Sequence, residues 1–384
     1  VVTNNHVIEG ADEITIVFRD GSKLKVEKVL GTDGKTDLAL LKVKPERPLK
    51  SVKFGSSEQL RVGDWVLAIG NPFGLGGSVS VGIISAKQRD IQSGPYDDYL
   101  QTDAAINKGN SGGPLFNMEG EVIGVNTAII SPTGGSIGIG FAVPSDVAMV
   151  VVDQLKRFGE TRRGWLGVNI QSVSEDSAPS LGVEPGRGAL VASVANDGPA
   201  DKAGIKTGDV IVKFDGKTIR SVRALPRIVA QTAHGTTVEV EIARDGKRQV
   251  VKVMVGRLEE NEEKEDDQSD AGPSDDKSNE LATDQKSLLG LKVAPLDDEL
   301  RRKYGYGAKA RGVVVTDVAD GSPAASKEIK AGSLIIEAAR KPVRSAADVA
   351  SAIQAAQKSG RRALLLRVET SNGDLRFVAV ALPD

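Results

Sequence analysis

The second half of the chain repeats itself, and this repeat limits the possible folds more than any other feature. Residues 162–256 open with "GWLGV" and continue with "GALVASVANDGPADKAGIKTGDVIVKFDGKTI". Residues 286–384 open with "LLGLKV" and continue with "RGVVVTDVADGSPAASKEIKAGSLIIEAARKPV". In each copy a strand pattern runs into a Gly-Pro or Ser-Pro turn, a short helical piece, an Ala-Gly pair and another strand. Each copy then carries a candidate helix, "SVRALPRIVAQ" or "SAADVASAIQAA", and a final pair of strands. Two copies are too few for a solenoid and read as tandem α+β domains. A length of 384 residues leaves room for one more domain in front of them.

That front segment, residues 1–157, is a series of short strands rich in Val and Ile. "EITIVF", "KLKVEKVLG", "DLALLKV", "DWVLAIG", "VSVGIIS", "EVIGVNTAII" and "IGFAVP" are each bounded by Gly, Asp, Asn or Pro. Many brief strands with turn signals between them predict a sandwich or barrel. "SDVAMVVVDQLKRFG" then predicts a helix with Ser145 as N-cap and Gly159 as C-cap. Between the two repeated domains, residues 257–285 read as a linker. Its stretch Glu259 to Glu280 holds 11 acidic and two basic residues in a chain whose net charge is −2. So dense a charge without aromatic residues predicts a solvated, disordered segment.

Several chemistries are excluded early. No apolar run of about 18 residues is present, so no transmembrane helix is expected. The absence of cysteine rules out disulfides, thiol catalysis and thiolate metal sites. Two histidines, His6 and His234, are too few for a histidine-rich metal centre. No G-x-x-x-x-G-K-[ST] phosphate loop appears, so ATP use is not expected. The start, "VVTNNHVIEG", reads as mid-strand, with neither an initiator Met nor a targeting pattern. It predicts that the natural beginning is missing and that the first β layer is incomplete.

The stretch "INKGNSGGPL" surrounds Ser111 with glycines, which permit sharp turns and close backbone approach. A serine hydroxyl is a weak nucleophile and needs a base, which in turn needs an orienting group. His234, in "TAHGTT", follows a candidate helix and reads as a helix-end residue. His6, in "TNNHVI", shares the β-rich segment with Ser111. Asp37, in "TDLALLKV", stands at the mouth of an apolar strand, where an ionised carboxylate is costly unless paired. Pairing with an imidazole would meet that condition and fix the tautomer for base catalysis. The order His, Asp, Ser is that of chymotrypsin-type triads.

Taken together, "TNNHVI", "TDLALLKV" and "INKGNSGGPL" resemble the three triad motifs of HtrA-family serine proteases. "GDWVLAIGNPFGL", "YLQTDAAIN" and "SIGIGFAVP" resemble that family's intervening strands and loops, and the tandem repeat resembles the DegP/DegQ branch with two PDZ domains. The resemblance implies a mainly β protein: a chymotrypsin-like two-barrel protease domain followed by two PDZ-like α+β domains. It implies an ATP-independent serine endopeptidase acting on unfolded proteins in the bacterial cell envelope, in the periplasm, with chaperone capacity. A non-catalytic chaperone or PDZ scaffold is the alternative. It implies Ser111 as nucleophile, His6 as base, Asp37 as its orienting acid, and the N–H groups of Gly109 and Ser111 as oxyanion donors. Ile106, Ile129 and Ile139 match a shallow apolar specificity pocket, and Arg89 matches a regulatory-loop arginine. In the first PDZ domain, Leu166, Gly167 and Val168 match a loop that binds a peptide carboxylate, with Arg162 and Arg163 adding positive potential. In the second, "GSLI" replaces "GDVI" and "ARKPV" replaces "DGKTI", which favours an assembly role there equally. Unfolded polypeptides, C-terminal peptides and further copies of the chain, as a trimer or larger cage, are the implied partners. No cofactor, metal or nucleic acid is implied.

Overall fold

The structure is a computed structural model that describes residues 1–71, 77–132, 134–258, 288–370 and 372–383. The acidic stretch Glu259 to Glu280 lies outside the described residues. The chain divides into two compact units, Val1–Gly164 with Pro226–Ala233, and Trp165–Leu225 with His234–Asp384.

The first unit begins with β1 (Val2–Thr3), α1 (Asn5–Ile8), β2 (Thr15–Val17), β3 (Lys23–Asp33) and β4 (Leu38–Val43). The strands form one antiparallel sheet in the order β1-β4-β3-β2. This four-stranded sheet stands where the first barrel was expected. The second layer comprises β5 (Trp65–Gly70), β6 (Ser78–Arg89), β7 (Tyr99–Thr102), β8 (Pro114–Phe116), β9 (Val122–Ile129) and β10 (Gly140–Pro144). These six close a barrel in the order β10-β7-β6-β5-β8-β9. Strand β8 lies inside the glycine-rich serine stretch and was not read as a strand from sequence.

Burial follows the residue pattern. Leu38, Ala39, Leu40 and Leu41 of β4 are all buried, so both faces of that strand are covered. Strand β6 alternates instead: Gly82 and Ile84 point inward while Val79 and Val81 are exposed. Helix α2 (Ser145–Phe158) buries Ala148, Val151 and Leu155 against Leu38 and Leu40 of β4, Tyr99 of β7, Val125 of β9 and Phe141 of β10. Its apolar stripe therefore joins the two β layers in one core. Gly159 is the left-handed C-cap, as its position predicts, with its N–H on the Leu155 carbonyl. Ser145 is not the N-cap. It is the first helical residue, and its buried hydroxyl donates to the Gly55 carbonyl at 2.6 Å.

In the second unit each repeat forms a sheet with the same strand order. The first runs Val168–Gln171, Ala189–Val194, Val210–Phe214, Thr237–Arg244, Lys247–Met254. The second runs Leu291–Pro295, Val313–Val318, Leu334–Ala338, Ala363–Glu369, Leu375–Ala381. The candidate helices appear as Ala224–Gln231 and Ala346–Lys358. The second carries a full capping box between Ser345 and Asp348. The two repeats also share a core. Leu181, Leu190 and Val210 of the first cluster with Leu365, Phe377 and Ala379 of the second. The Gln171 side-chain amide binds the Phe377 backbone on both sides, donating to its carbonyl at 2.9 Å and accepting its N–H at 2.7 Å. No local pattern in either repeat signals this fusion.

Candidate active site

Residues 1–8 set the first half of the site. Strand β1 pairs with β4 and places α1 beside the turn that precedes β4. Asp37, the last residue of that turn, adopts a left-handed backbone at φ 55, unusual for a residue with a side chain. Hydrogen bonds hold it there: its carbonyl accepts the Asn5 N–H at 3.2 Å and the Asn4 side-chain amide at 2.7 Å. Its carboxylate accepts the His6 N–H at 2.9 Å through Oδ1 and meets His6 Nδ1 at 2.6 Å through Oδ2. Both bonds fix the ring, and with Nδ1 engaged the opposite nitrogen, Nε2, is left for proton transfer.

The second half comes from the loop between β7 and β8. Gly109 and Gly112 have positive φ, 105 and 81. A Cβ on Gly112 would lie 2.2 Å from Thr3 Oγ1, and one on Gly113 would lie 2.3 Å from the Ile69 carbonyl. The loop is thus wedged between β1 of the first sheet and β5 of the barrel, and only glycine fits. The N–H groups of Asn110, Gly112 and Gly113 bond to the carbonyls of Asn107, Asn126 and Asn110. Among the described residues, those of Gly109 and Ser111 have no intramolecular acceptor. The Ser111 hydroxyl donates to the Thr127 carbonyl at 3.3 Å.

Sequence reasoning missed Asn4 and Thr127. Asn4 is fully buried, and its amide nitrogen donates both to the Asp37 carbonyl and to Thr127 Oγ1 at 3.0 Å. It ties the histidine–aspartate half to the serine half. The available signal was a pair of polar residues, Asn126 and Thr127, inside the otherwise apolar run "VIGVNTAII". Burying them requires partners.

The remaining predicted residues fall as follows. Ile106 is buried in the barrel core with Ile129 packed against the same cluster. A Cβ on Gly140 would lie 2.9 Å from Ile106 Cδ1. Ile139 packs instead against the cluster around Leu38, Tyr99 and Phe141. Arg89 ends β6, and its Nε donates to Gln101 Oε1 at 2.8 Å on the neighbouring strand. Arg163 does not offer free positive potential: it is buried, with Nη2 2.5 Å from the Asp33 carboxylate. Arg162 pairs with Glu160 at 3.1 Å and lies 4.0 Å from the Phe158 ring centre. His234 is exposed, three residues beyond its helix.

In the first repeat, Gly167 has φ 75, and the carbonyls of Leu166 and Gly167 accept the N–H groups of Ala200 and Ala195, each at 2.9 Å. The second repeat reproduces this loop. Gly290 has φ 89, and the carbonyls of Leu289 and Gly290 accept Ala324 N–H at 3.3 Å and Ala319 N–H at 2.8 Å. There, however, Leu288, Leu289 and Leu291 are buried with Val349 and Ile353 of the facing helix. The "GDVI" to "GSLI" difference concerns another bond. Asp209 is buried and holds Arg244 through two contacts of 2.7 Å. This pairing raises the guanidinium pKa further, mainly through the hydrogen bonds. Ser333 keeps only the turn bond, accepting the Lys330 N–H at 3.3 Å.

Residues 1–125 match the trypsin-like peptidase domain, and residues 135–255 and 314–367 match two PDZ domain families. A probable periplasmic serine endoprotease, DegP-like, from Brucella suis is 47% identical over 100% of this chain and 71% of its own length. The corresponding protein of Pseudomonas fulva is 44% identical over 100% of this chain and 77% of its own. This chain belongs to the periplasmic DegP-like serine endoproteases. Solved structures agree. The HtrA-type protease AlgW with a tripeptide is 42% identical, with a TM-score of 0.60 over 68% of this chain and 86% of that one. AlgW with a decapeptide matches at a TM-score of 0.58 over 68% and 80%. The DegP-like protein is a mainly β serine endoprotease, with a trypsin-like domain followed by PDZ domains. No helix among its described residues is long and apolar enough to cross a membrane.

Proposed function

We propose that Ser111, His6 and Asp37 carry the peptide-bond cleavage of this DegP-like endoprotease. The His6–Asp37 contact at 2.6 Å, joined through Asn4 and Thr127 to a loop whose Gly109 and Ser111 N–H groups have no acceptor among the described residues, is the observation that supports the assignment. In this reading the Ser111 hydroxyl turns from the Thr127 carbonyl to donate to His6 Nε2. Ser111 Oγ attacks the scissile carbonyl as its proton passes to His6 Nε2. The new oxyanion takes the N–H groups of Gly109 and Ser111, each such donor contributing about 3 kcal/mol in transition-state stabilisation. His6 then protonates the leaving amine, and water releases the acyl group by the reverse steps.

Unfolded polypeptides are the substrates, cleaved without ATP, and a chaperone capacity accompanies cleavage. Ile106, Ile129 and Ile139 select small aliphatic side chains before the cleaved bond. The loop of Leu166, Gly167 and Val168 captures the carboxylate of a C-terminal peptide that adds a strand beside Val168–Gln171. Arg89 couples that occupancy to the active site. The protease assembles as a trimer, from which larger cages are built. An exposed stripe on the barrel supports an oligomer, because Trp65, Val79 and Val81 lie on neighbouring strands with most of their side chains in solvent.

Ser111→Ala tests the central assignment. It should abolish cleavage of denatured casein while leaving the circular dichroism spectrum unchanged. Cleavage near the wild-type rate would overturn the assignment of the nucleophile.

A further inference from the structure

Asp33 is a buried carboxylate to which the cleavage chemistry gives no task. Its side chain is 3% exposed and that of its partner Arg163 is 6% exposed. Burying such a pair costs desolvation that its Coulomb attraction offsets only with good geometry, so it is weak evidence for stability and better evidence for specification. The geometry here is complete. Arg163 Nη2 lies 2.5 Å from Asp33 Oδ2, and Nη1 donates to Thr161 Oγ1 at 2.8 Å. The guanidinium lies 4.8 Å from the Tyr96 ring centre.

Both carboxylate oxygens of Asp33, of which Oδ1 also accepts the Thr161 hydroxyl at 3.5 Å, reach the turn that ends in Asp37. Oδ2 accepts the buried Thr36 hydroxyl at 2.5 Å, and Oδ1 accepts the Lys35 N–H at 3.4 Å. Thr36 is covalently next to Asp37, whose left-handed backbone leaves its carboxylate on His6. A strained residue persists only where its surroundings over-determine it. The Asn4 and Asn5 bonds hold the Asp37 carbonyl, and the Thr36–Asp33 bond holds the residue before it.

We infer that Asp33 and Thr36 are positioning residues for Asp37, and that Arg163 fixes Asp33 in place from the segment entering the first PDZ domain. Arg163 lies two residues before Trp165, so the strut that sets the turn is continuous in sequence with the Leu166–Val168 loop. The inference rests on the assignment of Asp37 to the reaction.

The test is Thr36→Val beside Thr36→Ser in the intact protein, assayed on a peptide substrate and by the rate of labelling with a phosphonofluoridate, with Ser111→Ala as control. Thr36→Val should lower kcat and the labelling rate about 10- to 100-fold, the range produced by a misplacement of about 1 Å. KM should stay within about twofold, and Thr36→Ser should restore both rates to within about threefold of wild type. Asp33→Asn should reproduce the loss in kcat. If it fails to fold, the Thr36 pair still decides. Wild-type kcat in Thr36→Val, equal impairment in Thr36→Ser, or a loss carried by KM would each overturn the inference. Activity in Ser111→Ala would instead overturn the underlying assignment of the reaction.

Discussion

Asn4 and Thr127, 123 positions apart in the chain, share a buried hydrogen bond of 3.0 Å that joins the two β layers of the protease unit. The same Asn4 nitrogen supports the Asp37 carbonyl, and the carbonyl of Thr127 accepts the Ser111 hydroxyl. Asn4→Ala should therefore affect both halves of the site. Loss of the amide removes two hydrogen bonds, worth about 0.5–1.5 kcal/mol each, while the Asp37 carbonyl keeps the Asn5 N–H. Urea unfolding should show that loss, and kcat should fall with it. Unchanged stability and turnover would show that the bridge is dispensable.

In the proposed specificity pocket, size is set first by Ile106. Its side chain is buried over Gly140 in a core shared with Ile129. Ile106→Ala should admit larger residues before the cleaved bond, read by mass spectrometry of peptides from a denatured protein. Ile139→Ala should widen the preference in the same direction if Ile139 shares the pocket, and an unchanged preference would assign it to the cluster of Leu38, Tyr99 and Phe141 on which it packs.

The Asp209–Arg244 pair anchors the first PDZ domain. The Asp209 side chain is 2% exposed, so Arg244→Ala strands a buried carboxylate. A loss of about 3–5 kcal/mol is expected in thermal or urea unfolding. Asp209→Ala should cost less, because the Arg244 side chain is 21% exposed and keeps the Gly204 carbonyl at 2.7 Å.

Tyr306 in the second PDZ domain donates its hydroxyl to the Gly332 carbonyl at 2.6 Å and to that of Glu369 at 3.2 Å. Burial pushes its pKa up from 10.0 to about 12. A raised native pKa means that the folded state holds the proton more tightly than the unfolded one. Its contribution is complete below about pH 10 and is lost as pH rises through about 12. Tyr306→Phe should cost about 1 kcal/mol at neutral pH and flatten the alkaline loss between those limits. An unchanged alkaline profile would assign that loss to other groups.

Trp65 provides a test of assembly. Its side chain is 59% exposed on β5, opposite Ile83 of β6, with the outward-facing Val81 and Val79 further along that strand. Trp65→Glu should reduce the mass found by light scattering from an oligomer to a monomer. An unchanged mass would place the contact elsewhere.

Much of this protein was legible in its sequence because the signals were local. Strand periods in β4, β6 and β9 reflect burial of one or both faces, and the chain states them directly. Duplication showed as repeated turns and strands, and both copies have the same strand order. The motifs around His6, Asp37 and Ser111 pointed to one another through chemistry, since a serine nucleophile needs a base and the base needs an acid. Ser145 misled because a serine before an apolar helix is usually a cap, whereas here its hydroxyl found a tertiary acceptor in Gly55.

Only the tertiary structure decided the rest. Asn4, Asp33 and Arg163 carry no local signal, and the polar Asn126–Thr127 pair shows a need for partners without naming them, because Asn4 and Thr127 are 123 positions apart and Asp33 and Arg163 130. Arg163 looked like surface charge until its burial against Asp33 was seen. The core shared by the two PDZ domains was equally hidden, since Phe377 and Leu365 read as ordinary strand residues of their own sheet. Local sequence determines which faces are apolar and which residues can turn. Which apolar faces meet, and which buried polar groups find partners, depends on closing long loops of chain, and that is settled only when the whole fold is formed.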